Sequence, residues 1–248
     1  MYPAIQIGQI LLPTLHLALA FGMITAVIFS VARAGRYGIG RTTAFVGATA
    51  ALLMGVAGDR SANCLLLASL GWTVPSMSIA AGVALAALAV KGWSLMVGAR
   101  CVVLADCFSR PITLGLVVAG FGCLLAGCDY GQPTRCPWGI VFNNALALAW
   151  YRTPIGVRLH PTQLYECLLA VLLFLLLKAI ERYKLPSGSQ FLVLAAGYAF
   201  GRYFIEFLRG DGERGSWGPL SVPQWFCALT LVVSVTLLTQ LPYRKVRP

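Results

Sequence analysis

Long apolar runs, broken by short charged or glycine- and proline-bearing segments, set the pattern of this chain. Runs over residues 7–32, 43–58, 77–90 and 111–126, a run that opens within 160–166 and reaches 177, and runs over 191–208 and 222–241 read as membrane-spanning helices. They predict an all-α fold, a polytopic transmembrane helix bundle of seven spans. Residues 64–74 stay apolar beyond Asp59 and Arg60 and predict a segment lying along the far surface, with those two charges as an interfacial ion pair. Residues 93–104, despite Arg100, read as interfacial, and Asp106 as a solvated or paired charge. Gly35, Gly38 and Gly40 imitate a phosphate loop, but no strand precedes them and no Lys-Ser/Thr follows, so they predict a turn between helices. Residues 128–160 are the longest hydrophilic stretch, where Pro133, Pro137 and Pro154 argue against regular structure.

Composition sharpens this picture. Hydrophobic residues make up 58% of the 248 positions and charged ones 11%, against about a quarter charged in a soluble domain. No linker, repeat or low-complexity tract divides the chain, so residues 1–248 are expected to form one membrane domain. The first apolar stretch lacks a preceding basic segment and is too long for a signal-peptide core, so it is expected to persist as the first span. The net charge of +11 does not point to nucleic acid, because the basic residues sit in short loops between apolar runs. Clusters at 33–41, 91–110, 178–184 and 244–247 fall on one side of a seven-span topology, which predicts the N-terminus outside and the C-terminus cytoplasmic. The eight cysteines show no zinc-type pairing, and no metal or other cofactor is expected. Cys128 and Cys136 share one loop, where a disulfide is one expectation.

Charge inside the membrane pattern then singles out residues 198–211. Tyr198, Arg202, Glu206 and Arg209 follow at i, i+4, i+8 and i+11, which is one helical face. Ionisable groups there cost roughly 2.5 to 3.5 kcal/mol each at mid-bilayer and usually line a polar cavity. The alternative has Arg209 and Asp211 snorkelling to the interface while Arg202 and Glu206 neutralise each other. The topology brings the 128–166 loop to the same end, so His160, Gln163 and Glu166 can converge on Arg202, Glu206 and Arg209. Guanidinium pairs suit a phosphate ester, and His160 has the intrinsic basicity to take a proton from an attacking hydroxyl or thiol, with Glu166 or Glu206 orienting it or serving instead. His160 as a helix-start residue bonded to backbone is the competing reading; His16, in the first span, reads as structural. No motif resembles an ATP site, a zinc-protease helix or a serine nucleophile elbow. The residues themselves therefore give a membrane-embedded site for an anionic, lipid-like ligand, compatible with a transferase, a transporter or a lipid-binding scaffold.

Four segments carry a more specific likeness: 122–131 (Gly-Cys-Leu-Leu-Ala-Gly-Cys-Asp-Tyr-Gly), 160–166 (His-Pro-Thr-Gln-Leu-Tyr-Glu), 202–211 (Arg-Tyr-Phe-Ile-Glu-Phe-Leu-Arg-Gly-Asp) and 220–224 (Leu-Ser-Val-Pro-Gln). In this order they resemble the prolipoprotein diacylglyceryl transferase family, well over 111–241 and through spacing and hydropathy before that. The resemblance implies a seven-span enzyme of the bacterial inner membrane. Such an enzyme transfers diacylglyceryl from phosphatidylglycerol to the lipobox cysteine of a preprolipoprotein, with other membrane lipids around it. It implies that Arg202 holds the phosphate, that Tyr198 and Glu206 shape the pocket and that Gly131 is a close-approach glycine. Tyr130, Gln163, Tyr165, Glu166 and Arg209 complete the expected substrate contacts, with His160, Arg202 and Glu206 as the catalytic set.

Three positions depart from the family pattern. Its His-Gly-Gly falls on Ala80-Ala81-Gly82, its Gly-Arg arginine on Gly120, and a first-span tyrosine on Leu15. These departures keep a second function open, a non-catalytic relative that binds phospholipid or prolipoprotein. Arg60 or Arg158 would be the cation to replace the arginine absent at 120.

Overall fold

A computed structural model of the chain describes residues 2–70, 75–183, 185–211 and 215–241. The chain opens with an antiparallel hairpin, β1 (Ala4–Ile7) and β2 (Ile10–Pro13). The first span therefore begins later than hydropathy places it, as α1 (Thr14–Arg33). A strand pair of Ile, Leu and Pro is as apolar as a helix end, so hydropathy alone cannot separate the two. A 3-10 turn (Ala34–Tyr37) and left-handed Gly38 then lead to α2 (Arg41–Leu70), as the glycine spacing predicts.

Helix α2 runs unbroken through Asp59 and Arg60, so the surface segment expected from residue 64 is a helix at least to Leu70; residues 71–74 lie outside the described residues. Asp59 is accommodated because its carboxylate accepts from Ser78 Oγ at 2.7 Å on α3 (Pro75–Met96) and from Asn63 Nδ2 at 3.5 Å. Helix α4 (Cys101–Ala126) starts ten positions ahead of its expected boundary at 111. Asp106 is consequently buried rather than solvated. It accepts from the backbone N–H groups of Gly188 (2.6 Å) and Phe191 (2.9 Å), satisfying the N-terminus of α7 (Ser189–Ile205). After α4 the chain crosses to α6 (Thr162–Ile180), and α7 is extended by a 3-10 turn (Glu206–Leu208). Helix α8 (Val222–Gln240) starts at a capping box in which Ser221 and Gln224 bond reciprocally, a signal written in the sequence as Ser-x-x-Gln. Among the described residues seven helices are long and apolar enough to cross a membrane, which makes this a multi-pass membrane protein. The basic residues at 184 and 244–247 that enter the topology argument lie outside the described residues.

Glycines set the closest helix approaches. A Cβ on Gly22 of α1 would lie 3.0 Å from Gly115 O on α4, and one on Gly82 of α3 would lie 2.7 Å from Gly55 O on α2. With little apolar gain available between helices in lipid, such backbone contacts supply the packing that associates them. Large side chains such as Phe21, Ile28, Leu172 and Val232 point outward and are exposed, the inverse of a soluble fold.

Between α4 and α6, the stretch that its prolines marked as irregular contains α5 (Ala145–Tyr151) and a pair of two-residue strands, β3 (Ile140–Val141) and β4 (Arg158–Leu159). Asn144 caps α5 by accepting from Leu146 N–H. Tyr130, Phe142 and Leu159 give this loop a small core of its own. A third strand pair, β5 (Ser216–Trp217) and β6 (Leu220–Ser221), precedes α8.

Candidate functional site

The C-terminal ends of α4 and α7 and the N-terminal end of α6 meet at the loop. Its backbone is fixed from both sides. Gly131 N–H donates to His160 O (3.0 Å), His160 N–H to Gln132 O (2.9 Å), Gln132 N–H to Leu208 O (2.8 Å) and Gly210 N–H to Tyr130 O (2.9 Å). Gly131, for which the resemblance implies close approach, is tightly surrounded: a Cβ there would collide with His160 O, lie 2.5 Å from His160 Cβ and lie 2.9 Å from Leu208 O. Because His160 O and Leu208 O are hydrogen-bonded backbone, they have little freedom to withdraw. Gly131→Ala should cost about 1–3 kcal/mol of stability, as overpacking does, read as a lower Tm.

A continuous ion network fills the space beneath. Arg202 reaches Glu166 Oε1 through Nε at 3.2 Å and Glu206 Oε2 through Nη1 at 2.5 Å. Arg209 pairs with Asp129, with Asp211 (Nη2–Oδ2 2.6 Å, Nε–Oδ1 3.0 Å) and more loosely with Glu166 (3.6 Å). Glu206 also accepts from Ser221 Oγ at 3.1 Å, tying α8 to the network. The predicted column of Arg202, Glu206 and Arg209 thus exists, even though regular α-helix ends at Ile205. Arg209 does not snorkel: its side chain is 6% exposed. Burial opposes its charge, but Asp129, Asp211 and Glu166 more than compensate and raise its pKa above the ordinary guanidinium value. At Asp129 burial pushes the carboxyl up, and the neighbouring Arg209 outweighs it and holds the group below the usual carboxylate range.

Two guanidinia face four carboxylates here, so the arginines are not idle cations awaiting an anion. They differ, however. Arg209 has Nε and both terminal nitrogens engaged, whereas among the described residues nothing takes Arg202 Nη2. The loosest link is Glu166, whose Oε1 lies between the two arginines.

The remaining predicted residues take distinct positions. The His160 ring does not join the network; its Nδ1 lies 3.1 Å from Tyr165 OH, which also accepts from Trp138 Nε1 at 2.8 Å. Gln163 is buried and donates Nε2 to Cys128 O (2.6 Å), while among the described residues its Oε1 has no hydrogen-bond partner. Tyr130 packs in the loop core with its hydroxyl donating to Arg152 O (3.1 Å). Tyr198 sits a turn deeper in α7, against the cluster of Leu173, Leu177 and Leu194. His16, on α1, is exposed. Asp129, Asp211, Ser221 and Gln224 were not among the predicted site residues. For Asp129 the signal was an acidic residue closing a Gly-Cys run, and for Ser221 the cap motif itself.

At Gly120 the structure contradicts the idea of a substituted cation. A Cβ there would lie 2.5 Å from Cys167 Sγ and 3.3 Å from Gln163 O, so this is where α4 and α6 touch rather than a cavity wall. Arg158 lies instead over Gly139, and Arg60 is exposed on α2. Cys128 and Cys136 are not bonded to each other; all eight cysteines are free. Cys123, Cys128 and Asp129 bring potential metal ligands within 4.8 Å of one another. Both Asp129 oxygens are already committed, however, one to Arg209 and one accepting from Cys123 Sγ at 3.2 Å, so the group reads as a hydrogen-bonded cluster.

Residues 3–240 match the sequence profile of the family described as prolipoprotein diacylglyceryl transferase. Among individual relatives, the phosphatidylglycerol-prolipoprotein diacylglyceryl transferase of Clostridium tetani is 36% identical over half of this chain and 47% of its own length. That of Geobacter sulfurreducens is 34% identical over 59% of this chain and 54% of its own. For enzyme 2 of Clostridium perfringens the figures are 35%, 64% and 57%. The chain thus spans about half the length of the curated relatives it matches.

Proposed function

Since the chain belongs to the prolipoprotein diacylglyceryl transferase family, we propose that it moves the diacylglyceryl group of phosphatidylglycerol onto the thiol of a lipobox cysteine in a preprolipoprotein. We read it as one domain of the bacterial inner membrane, with the loop end of the bundle facing outward and membrane lipid around it. In this reaction a sulfur–carbon bond forms as the carbon–oxygen bond to phosphate breaks. The thiol proton must be accepted, and glycerol phosphate departs with more negative charge than the diester carried.

The observation that carries the reading is the shared position of Glu166 between Arg202 and Arg209. Arg202 Nη2 is the donor we assign to the phosphate, and Arg202 Nε joins it once Glu166 is released. If Glu166 accepts the thiol proton, it loses its hold on both guanidinia as charge grows on the leaving phosphate. Deprotonation and leaving-group stabilisation are then one event. Arg209 and Glu206 position this pair, Glu206 through Ser221. Gln163 Oε1 is a buried acceptor for a substrate hydroxyl. Tyr198 bounds the pocket on the membrane side, and Tyr130 and Gly131 hold the loop.

His160 is the alternative base. The Tyr165 oxygen can accept from both Trp138 and an Nδ1–H of His160, which leaves Nε2 with a free lone pair. Paired substitutions separate the two. Glu166→Gln should lower transfer by about 10²–10⁴-fold, the usual worth of a positioned acid or base, with phosphatidylglycerol still bound, and His160→Gln should cost less. The opposite order would move the base to His160.

A non-catalytic, phospholipid- or prolipoprotein-binding role is the second reading. It rests on the four carboxylates already set against the two guanidinia and on the packed surroundings of Gly120. Its signature is phosphatidylglycerol bound through Arg202 with no thioether formed.

A further inference from the structure

The opposite end of the bundle holds a second charged site. Glu181, just past α6, bonds Arg33 of α1 (2.7 Å) and Arg110 of α4 (2.5 Å), with Arg36 at 3.5 Å. Burial raises the Glu181 carboxyl and the three arginines lower it further, so it stays ionised below the usual range. Beside this cluster lies a cavity of about 690 Å³, running from Arg36, 68% exposed, to Arg110, 7% exposed. Arg36, Arg110, Lys178 and Arg182 line it, against Asp106 and Glu181. Neither carboxylate is available to the added cations. Both Asp106 oxygens are held by the N-terminal N–H groups of α7, and Glu181 is divided among three arginines.

Donors are therefore in excess. Among the described residues the buried Arg110 Nε has no hydrogen-bond partner, and neither Lys178 nor Arg182 has an acceptor. Glu181 lies fifteen residues along the chain from Glu166, about 22 Å at the rise of a helix, so this cavity is separate from the network at the loop end.

We propose that this cavity is a second anion site that binds a phosphate ester, the headgroup of an anionic phospholipid or a soluble phosphate monoester. Guanidinium and ammonium donors contributed from the turn after α1, from α4 and from the end of α6 suit phosphate oxygens, and the volume accommodates a headgroup without its acyl chains. Such a site does not depend on the transferase reading, and its test reads binding, not transfer.

The full chain, purified in detergent, would be given dioleoyl phosphatidylglycerol in one arm and glycerol 3-phosphate in the other, and bound molecules counted by native mass spectrometry. Arg36→Gln/Arg182→Gln removes two rim charges and leaves the closer, buried Arg33 and Arg110 pairs with Glu181 in place; Lys91→Gln/Arg100→Gln removes the same charge outside the cavity. The expected result is that the rim variant loses one bound ligand per chain relative to wild type while the control variant loses none. Loss in the lipid arm alone identifies a headgroup site, and loss in the soluble arm identifies a monoester site. Equal retention by wild type and rim variant in both arms, or equal loss in both variants, overturns the proposal.

Discussion

Arg202→Ala should reduce thioether formation from phosphatidylglycerol and a lipobox peptide by about 10²–10³-fold, the usual effect of removing a group that stabilises developing charge. Arg209 is enclosed by Asp129, Asp211 and Glu166, whereas among the described residues Arg202 Nη2 is uncommitted, and its Nε is held only by Glu166. Arg202→Lys should not restore the rate, because an ammonium offers a point charge in place of a planar pair of donors. Loss should fall on turnover more than on peptide binding, which initial rates at varied peptide concentration would resolve. A rate within twofold of wild type for Arg202→Ala would remove this residue from the phosphate site.

The largest effect on stability is expected at the other end of the molecule. Glu181→Ala leaves Arg33 and Arg110, whose side chains are 4% and 7% exposed, without their carboxylate. Breaking a buried pair by removing one partner costs about 3–5 kcal/mol, because the remaining charge stays desolvated. Partial relief comes from Phe29 and Phe174, whose rings lie 5.6 and 4.7 Å from the Arg110 guanidinium, and from Tyr37 OH, 2.8 Å from Arg33 Nη2. Thermal unfolding in detergent should therefore show a marked fall in Tm, and Glu181→Gln should show less of one. An unchanged Tm for Glu181→Ala would mean that water already solvates the cluster.

These two sites also show how far the sequence could be read. The spans were legible because lipid demands helices of about twenty apolar residues, and nothing else in such a chain has that length. Their limits were misplaced wherever charge inside a helix is answered by a distant partner. Asp59 meets Ser78, Asp106 meets the start of α7, and Arg110 meets Glu181, 71 residues away. A window of hydropathy treats each of these as an end, because the partner lies outside it. The hairpin before α1 was lost for the opposite reason: its strands are as apolar as the helix they precede.

At the loop end, helical spacing found Arg202, Glu206 and Arg209, and topology brought in Glu166. Asp129 escaped because its place depends on a left-handed backbone turn (φ 55°) that no periodicity encodes. Position 120 marks the limit of motif comparison. The resemblance marks Gly120 as a departure, but only the α4–α6 contact shows that the space beside it is filled by Cys167.

Phosphatidylglycerol labelled in its diacylglycerol moiety, incubated with the purified protein and a lipobox peptide, tests the central claim most directly. The expected result is a labelled thioether on the peptide cysteine and an equal amount of released glycerol phosphate, both formed about 10²–10³-fold more slowly by Arg202→Ala. Arg202-dependent retention of phosphatidylglycerol with neither product formed would contradict it and leave a lipid-binding relative in its place.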